Sequence, residues 1–461
     1  MTLIKSISGI RGTIGGKTDQ GLTPVDAVKF AAAYGTWLQQ RNPGQRLKVV
    51  IGRDARISGP MISQLVIATL TGLGIDVINL NLSTTPTVEI AVPMENAHGG
   101  IILTASHNPK EWNALKLLNE LGEFISAAAG EEILEIAAKE AFDFADVDSL
   151  GTVTDDDTYL DKHIQAVLNL PLVDVSAIAE ANFKIVVDAV NSTGGIFIPA
   201  LLRDLGVKDI VELYCEPTGH FPHNPEPLPE HLTDLAAKIL HTGAHVGFTV
   251  DPDVDRLAMV CEDGSMFGEE YTLVAVADFV LQHTPGSTVS NLSSTRALRD
   301  VTEAIGEKYH AAAVGEVNVV EKMKATNAII GGEGNGGIIY PELHYGRDAL
   351  VGIALFLTHL AKSKKTVSQL RDSYPKYTIS KNKIELTPEI DVDDVLQRMA
   401  DKYANEEVDQ TDGVKIYIGQ EWVHLRKSNT EPIIRIYAES SSSENANALA
   451  ERIITEIKAV I

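Results

Sequence analysis

The chain has 461 residues, with 39 Lys and Arg against 63 Asp and Glu, a formal net charge of −24, 44% apolar residues and 22% charged ones. Those fractions exclude a disordered or fibrous chain, and the charge excludes nucleic acid or an anionic membrane as the main partner, because phosphate-rich surfaces demand a net cationic protein. Cys215 and Cys261, the only cysteines, provide neither a disulfide framework nor a Cys-built zinc site.

No run reaches the ~18 apolar residues of a membrane span. The opening MTLIKSISGIRG lacks a signal-peptide pattern, so the expected location is cytoplasmic. An anionic substrate on so acidic a chain must be held by a local cluster of Arg and Lys.

In chain order, short β-branched runs are each followed by a turn and a helix-period segment. Leu47 to Gly52 reads as a strand and leads through Arg53-Asp54-Ala55-Arg56-Ile57-Ser58 to a helical pattern over Met61 to Leu73. A helix is predicted near Tyr159. Phe183 to Asp188 is a second strand, followed by the small-residue turn Asn191 to Gly195 and a helix through Leu202. His245 to Val250 is a third strand, ending in a carboxylate cluster. Strands alternating with helices predict βαβ units. The end of the chain reads strand, strand, helix. Ser441 and Glu444 have capping-box spacing there, and Ala448, Leu449, Ile453, Ile454 and Ile457 form a buried face.

At roughly 100–200 residues per domain the length predicts three or four domains. We place them at 1–155, 156–257, 258–370 and 371–461. The fold class is α/β: three similar α/β domains with mixed, largely parallel sheets, and a smaller C-terminal α+β domain, around a central cleft.

Four stretches carry chemistry. Thr104-Ala105-Ser106-His107-Asn108-Pro109 follows an apolar run, and Asn-Pro marks a turn that presents Ser106 at a strand end; Lys116 lies ten residues on. Taken alone, the stretch is far more often a Ser and an Asn satisfying turn backbone. Asp251-Pro252-Asp253-Val254-Asp255-Arg256 brings three carboxylates to alternate positions. Three like charges without a cation are unfavourable, and all-oxygen ligation with open positions suits Mg²⁺. An EF-hand is excluded because Arg256 occupies the sixth position, where that loop requires Gly.

Gly332, Gly334 and Gly337 formally satisfy GxGxxG, but Ile338-Ile339-Tyr340-Pro341 continues as a strand where a dinucleotide site needs a helix. Glu333 and Asn335 in that loop suit sugar hydroxyls. Finally, Arg426-Lys427-Ser428-Asn429-Thr430-Glu431-Pro432, with Arg435, makes a phosphate-sized nest of cations, hydroxyls and loop N–H groups. No Walker GxxxxGK[ST] is present. Gly9-Ile10-Arg11-Gly12 and Arg347-Asp348 read equally well as ordinary surface turns.

Across nearly the whole length, in order, GIRG (9–12), TASHNP (104–109), DPDVDR (251–256), GEGNGG (332–337) and RKSNTEP (426–432) resemble the α-D-phosphohexomutase superfamily. Within it the chain is most similar to the phosphoglucosamine mutases of Bacteroidetes and archaeal type. The resemblance implies an intramolecular phosphotransferase that interconverts glucosamine 6-phosphate and glucosamine 1-phosphate through a phosphoserine enzyme and a 1,6-bisphosphate, which also serves as activator. Broad phosphomannomutase/phosphoglucomutase specificity is the alternative, and a non-catalytic sugar-phosphate-binding protein the third reading.

The resemblance further implies that Ser106 carries the phosphoryl group, with Ser106, Asp251, Asp253 and Asp255 holding Mg²⁺. Lys116, Arg11 and His107 would line the reaction centre. Arg256, Glu333, Asn335, Arg426, Ser428, Asn429, Thr430 and Arg435 would contact the hexose phosphate, with the protein a monomer or homodimer. The chain departs from the pattern at Pro252 (Gly in the family), Ala114 (Gly), Asn335 (Ser) and Gly337 (His). The last departure leaves a second acid/base without a residue.

Overall fold

The structure, a computed structural model, describes residues 2–6, 9–385, 390–427 and 433–460. It divides into two units, residues 1–272 with 336–368, and residues 273–335 with 369–461.

The first unit contains a seven-stranded mixed sheet in the order Ile4–Ser6, Gly9–Thr13, Trp112–Leu118, Gly99–Leu103, Lys48–Arg53, Asp76–Leu82, Val153–Asp155. Alternation decides which helix each residue meets. Val49 and Ile51 pack with the helices Pro24–Arg41, Gly59–Gly72 and Ala127–Lys139, whereas Val50 points to the other face and packs with Val88, Ala91 and Val92 of the helix Thr85–Met94. The second sheet orders Leu257–Cys261, Val246–Val250, Lys184–Asp188, Asp209–Leu213. Val246–Val250 is buried at every position, as befits a strand covered on both faces. Its antiparallel return, Val250 opposite Leu257, makes residues 251–256 a hairpin loop at the strand end.

In the second unit Thr288–Asn291 lies between Tyr309–Ala312 and Ile330–Glu333, parallel to both. A five-stranded antiparallel sheet follows, ordered Thr378–Glu385, Ile433–Ser440, Glu421–Lys427, Val414–Ile418, Glu407–Asp409, and packed on Val392–Lys402 and Ser443–Val460.

The strands and helices expected near residues 47–73, 159, 183–202 and 245–250 form as Lys48–Arg53, Gly59–Gly72, Tyr159–Leu168, Lys184–Asp188, Gly194–Asp204 and Val246–Val250. Gly337–Ile339 is a strand, so no helix follows the glycines. Two readings of the C-terminal segment are corrected. The last helix is capped one residue later than expected, with Asn445 N–H donating to Ser442 Oγ at 3.2 Å. Ala446 and Ala450 lie on its buried face while Ala448 is exposed. The helix Val392–Lys402 was absent from the strand–strand–helix reading, because its apolar residues are separated by a strongly charged face.

Candidate functional site

The strand Gly99–Leu103 ends at Thr104, whose hydroxyl donates to Asp54 Oδ2 at 2.7 Å and accepts from Ser106 N–H at 2.9 Å. This turn places Ser106 at φ 49°, a left-handed conformation that an ordinary L residue adopts only when its surroundings impose it. Arg56 imposes it. Fully buried, it pairs with Asp54 at 3.0 Å and donates to the carbonyls of Pro109 (2.6 Å), Trp112 (3.0 Å), Asn108 (2.7 Å) and Ser106. Arg56 stood in the sequence only as part of a turn. Its planar fork, with five N–H donors, suits a residue that gathers the carbonyls of one loop.

Ser106 Oγ donates to Asp251 Oδ2 at 2.7 Å. Asp251, Asp253 and Asp255 are all fully buried and offer carboxylate oxygens within 4.8 Å of one another. Between them Val254, a β-branched residue, is held at φ 64°, a conformation that costs roughly 1–3 kcal/mol. Asp253 Oδ1 and Asp255 Oδ1 are buried without a hydrogen-bond partner among the described residues. Burial first, then the Asp255 and Asp253 charges, pushes the Asp251 carboxyl well above the usual carboxylate range. Burial also acts upward on Asp253, but the Lys116 charge and hydrogen bond outweigh it and hold that carboxyl below the usual range. A crowded, partly unsatisfied set of hard oxygen donors fits a divalent cation such as Mg²⁺.

Around this centre, Lys116 Nζ lies 2.8 Å from Asp253 and 3.7 Å from Asp255. Burial alone would depress its ammonium, but the two carboxylates outweigh burial and raise its pKa. Arg11 sits directly across from Ala114, on the sheet face that also carries Lys116. Gly9 permits this pairing, since a Cβ there would fall 2.4 Å from the Leu115 carbonyl oxygen. Arg256 Nε is 4.0 Å from both Asp251 and Asp255, and its Nη1 is 3.7 Å from Glu226. His107 Nδ1 is 3.4 Å from Ser106 Oγ and its Nε2 4.0 Å from Glu226. Burial, then the Arg256 charge, lowers the His107 pKa well below its ordinary value.

Models of the four phosphoglucomutase/phosphomannomutase domains match this chain in order: α/β/α domain I over residues 3–144, domain II over 159–264, domain III over 268–377 and the C-terminal domain over 383–456. The chain belongs to the phosphoglucomutase/phosphomannomutase family. It is therefore a phosphohexomutase with three similar α/β domains and a C-terminal domain built on an antiparallel sheet, as its motifs predicted. A phosphoglucomutase/phosphomannomutase of Thermococcus kodakarensis is 36% identical over 446 residues, covering 95% of this chain and 96% of that protein. A probable phosphoglucosamine mutase of Methanopyrus kandleri is 31% identical over 98% of this chain and 97% of its own length. A crystal structure of a family protein from Burkholderia thailandensis, 26% identical, superposes with a TM-score of 0.86 over 100% of this chain and 98% of that one.

The remaining motif residues lie in the second unit. Glu333 Oε1 accepts from Asn291 Nδ2 at 2.7 Å and from Gly315 N–H at 3.1 Å, and Asn335 Nδ2 lies 3.5 Å from Glu333 Oε2. Ser294 steadies the same loop through Asn291 and Gly334. Arg426 and Arg435 are direct cross-strand partners, and Lys383 is the partner of Arg435 on its other side. Three cations therefore stand in a row on one sheet face, a like-charge arrangement offset in part by Asp412, 2.9 Å from Arg426 Nε, and by Glu385, 3.6 Å from Lys383 Nζ. Lys383 is legible only from strand register, 52 residues before Arg435. Ser428, Asn429 and Thr430 lie outside the described residues.

Arg347, whose role the sequence alone leaves open, is buried, with Nη2 2.6 Å from Asp255 Oδ2. The turn after the glycine-rich loop returns its Arg to the aspartate cluster. Among the described residues, no helix is long and apolar enough to cross a membrane.

A buried neutral imidazole gives the second unit a pH limit. His424 lies between Ser293 Oγ (2.9 Å) and the Asp412 carbonyl (2.6 Å), and burial foremost lowers its pKa to about 4. The unfolded chain takes up that proton near pH ~6.5, so its contribution to stability is complete above that pH and is lost as pH falls toward about 4. Urea titrations at pH 7.5 and 4.5 are expected to show a loss of roughly 2–3 kcal/mol, and His424→Gln should flatten that dependence.

Proposed function

We propose that the protein interconverts glucosamine 6-phosphate and glucosamine 1-phosphate, with Ser106 as the phosphoryl carrier. The observation that carries this reading is the 2.7 Å hydrogen bond from Ser106 Oγ into the buried aspartate cluster. A hexose hydroxyl oxygen bonds to the phosphorus of phospho-Ser106 as the P–Oγ bond breaks. Lys116 hands a proton to the departing Oγ and recovers one from the attacking hydroxyl. Arg256 and Arg11 offset charge on the phosphoryl oxygens, while Glu333 and Asn335 orient the ring and Arg426, Ser428, Asn429, Thr430 and Arg435 hold the distal phosphate. The sugar bisphosphate turns over between the two transfers, so one anion clamp accepts either end.

Asp251, Asp253, Asp255 and the Ser106 oxygen would hold Mg²⁺, which supplies charge neutralisation at the transferring phosphoryl group. At about a hundred times its Kd, Mg²⁺ should raise stability by ~2.7 kcal/mol. Thermal scans with Mg²⁺ and with EDTA are expected to differ by about 5 °C for a unit of this size, and Asp253→Asn should remove the difference.

A second reading, action on glucose and mannose phosphates, is favoured by the 36% identity to the Thermococcus phosphoglucomutase/phosphomannomutase. Turnover of the three sugar 6-phosphates, each with a trace of its 1,6-bisphosphate, separates the two. Glucosamine 6-phosphate is expected to give the highest kcat/KM; the lowest value for that sugar would transfer the assignment to the second reading.

A further inference from the structure

The strained aspartate loop is gripped by the first turns of two helices. Thr85, opening the helix Thr85–Met94, donates its N–H to the Asp253 carbonyl at 2.9 Å and its hydroxyl to Asp253 Oδ2 at 2.5 Å. Ala349, opening the helix Ala349–Ser363, donates its N–H to the Val254 carbonyl at 3.2 Å, and the preceding Arg347 binds Asp255 at 2.6 Å. Each helix has its own side-chain cap. Thr84 caps the first and shares a 2.6 Å hydrogen bond with Thr87; Asp348 caps the second, accepting from Leu350 N–H at 2.7 Å.

One side chain spans the two caps. His163, on the helix Tyr159–Leu168 and fully buried, places Nδ1 2.8 Å from Thr87 Oγ1 and Nε2 2.9 Å from Asp348 Oδ2. Thr87, His163 and Asp348 fall in the segments matched by domains I, II and III, so the imidazole ties together three parts of the chain that are distant in sequence. His344 also approaches Asp348, at 3.3 Å, and lies 3.4 Å from Glu89. Both grips help to hold Val254 at φ 64°, and the Ser192 and Thr193 hydroxyls add an anchor on the Pro252 carbonyl at 2.7 and 3.0 Å.

We propose that His163 is a positioning residue that fixes the Asp251–Asp255 loop in its cation-holding shape by locking the caps of the two helices that grip it. It acts on Asp251, Asp253 and Asp255 only indirectly, through Thr87 and Asp348. Supporting groups of this kind change metal affinity by about 10- to 100-fold when removed. The inference rests on the reading of the aspartates as a Mg²⁺ site.

The test is calorimetric titration of the whole chain with Mg²⁺, independent of turnover. His163→Leu should weaken Mg²⁺ binding by about 10- to 100-fold, with the KM for hexose 6-phosphate at saturating Mg²⁺ within about twofold of the original. Thr87→Val, which keeps the volume and removes the hydroxyl that His163 and the cap Thr84 share, should also weaken Mg²⁺ binding, by about 10-fold, and serves if His163→Leu does not fold. Asp251→Asn controls the metal reading itself. If it abolishes Mg²⁺ binding while folded His163→Leu and Thr87→Val bind like the original, the His163 assignment is overturned and the metal site stands. Absence of Mg²⁺ binding by the unsubstituted chain would overturn both.

Discussion

Ser106→Ala is expected to lower mutase turnover by about 10⁴-fold or more, with hexose phosphate binding retained. The substitution removes the only group in the 104–109 turn placed to accept the phosphoryl unit, because Ser106 Oγ sits 2.7 Å from Asp251 whereas His107 Nδ1 stands 3.4 Å behind it. Packing should hardly change: the side chain is small, and the turn is held by Thr104 and Arg56 rather than by the hydroxyl. Coupled assay of sugar 1-phosphate formation checks the rate, and calorimetry with the sugar 6-phosphate checks binding. Full turnover in the variant would end the phosphoserine reading.

Arg56→Lys is the second large effect. An ammonium cannot hold Asp54 and the carbonyls of Ser106, Asn108, Pro109 and Trp112 together, so several buried acceptors lose their donor. Removing one partner of a buried pair costs about 3–5 kcal/mol, and Lys, which keeps the charge but not the fork, should fall at the lower end of that range. The kinetic consequence separates the loop from general stability. Ser106 should relax from its left-handed backbone, and the rate of phosphoryl transfer from a hexose 1,6-bisphosphate to the enzyme should fall by about 100-fold even below the melting transition. Urea unfolding and a rapid-quench phosphorylation time course measure the two effects. A destabilised variant that phosphorylates at the original rate would reduce Arg56 to scaffolding.

The sequence was most legible where chemistry is local. The alternate aspartates of 251–256 and the Ser106 turn announce themselves within six residues each, and the structure brings them into one hydrogen-bonded cluster. The strand after the glycine-rich loop was legible for a similar reason: Tyr340-Pro341 ends the run before a helix can form. Residues whose meaning depends on tertiary register were not legible. Arg56 is 50 residues from Ser106, Arg347 is 92 from Asp255, and His163 is 76 from Thr87 and 185 from Asp348. In the linear chain each is one polar residue in a turn or on a helix face, where a solvated role is the ordinary one. Burial gives them their task, since a fully enclosed guanidinium or imidazole persists only where its partners are fixed. The helix Val392–Lys402 was lost to its charged face, and the final cap slipped by one because Ser441, Ser442 and Ser443 are chemically alike.

The most direct measurement is phosphopeptide mapping of the protein after brief exposure to labelled hexose 1,6-bisphosphate, followed by a chase with unlabelled glucosamine 6-phosphate. Label should appear on the peptide bearing Ser106 and on no other, and should leave it for the sugar during the chase at the rate of turnover. Label on any other residue, or label on Ser106 that the sugar phosphate fails to remove, would contradict the account.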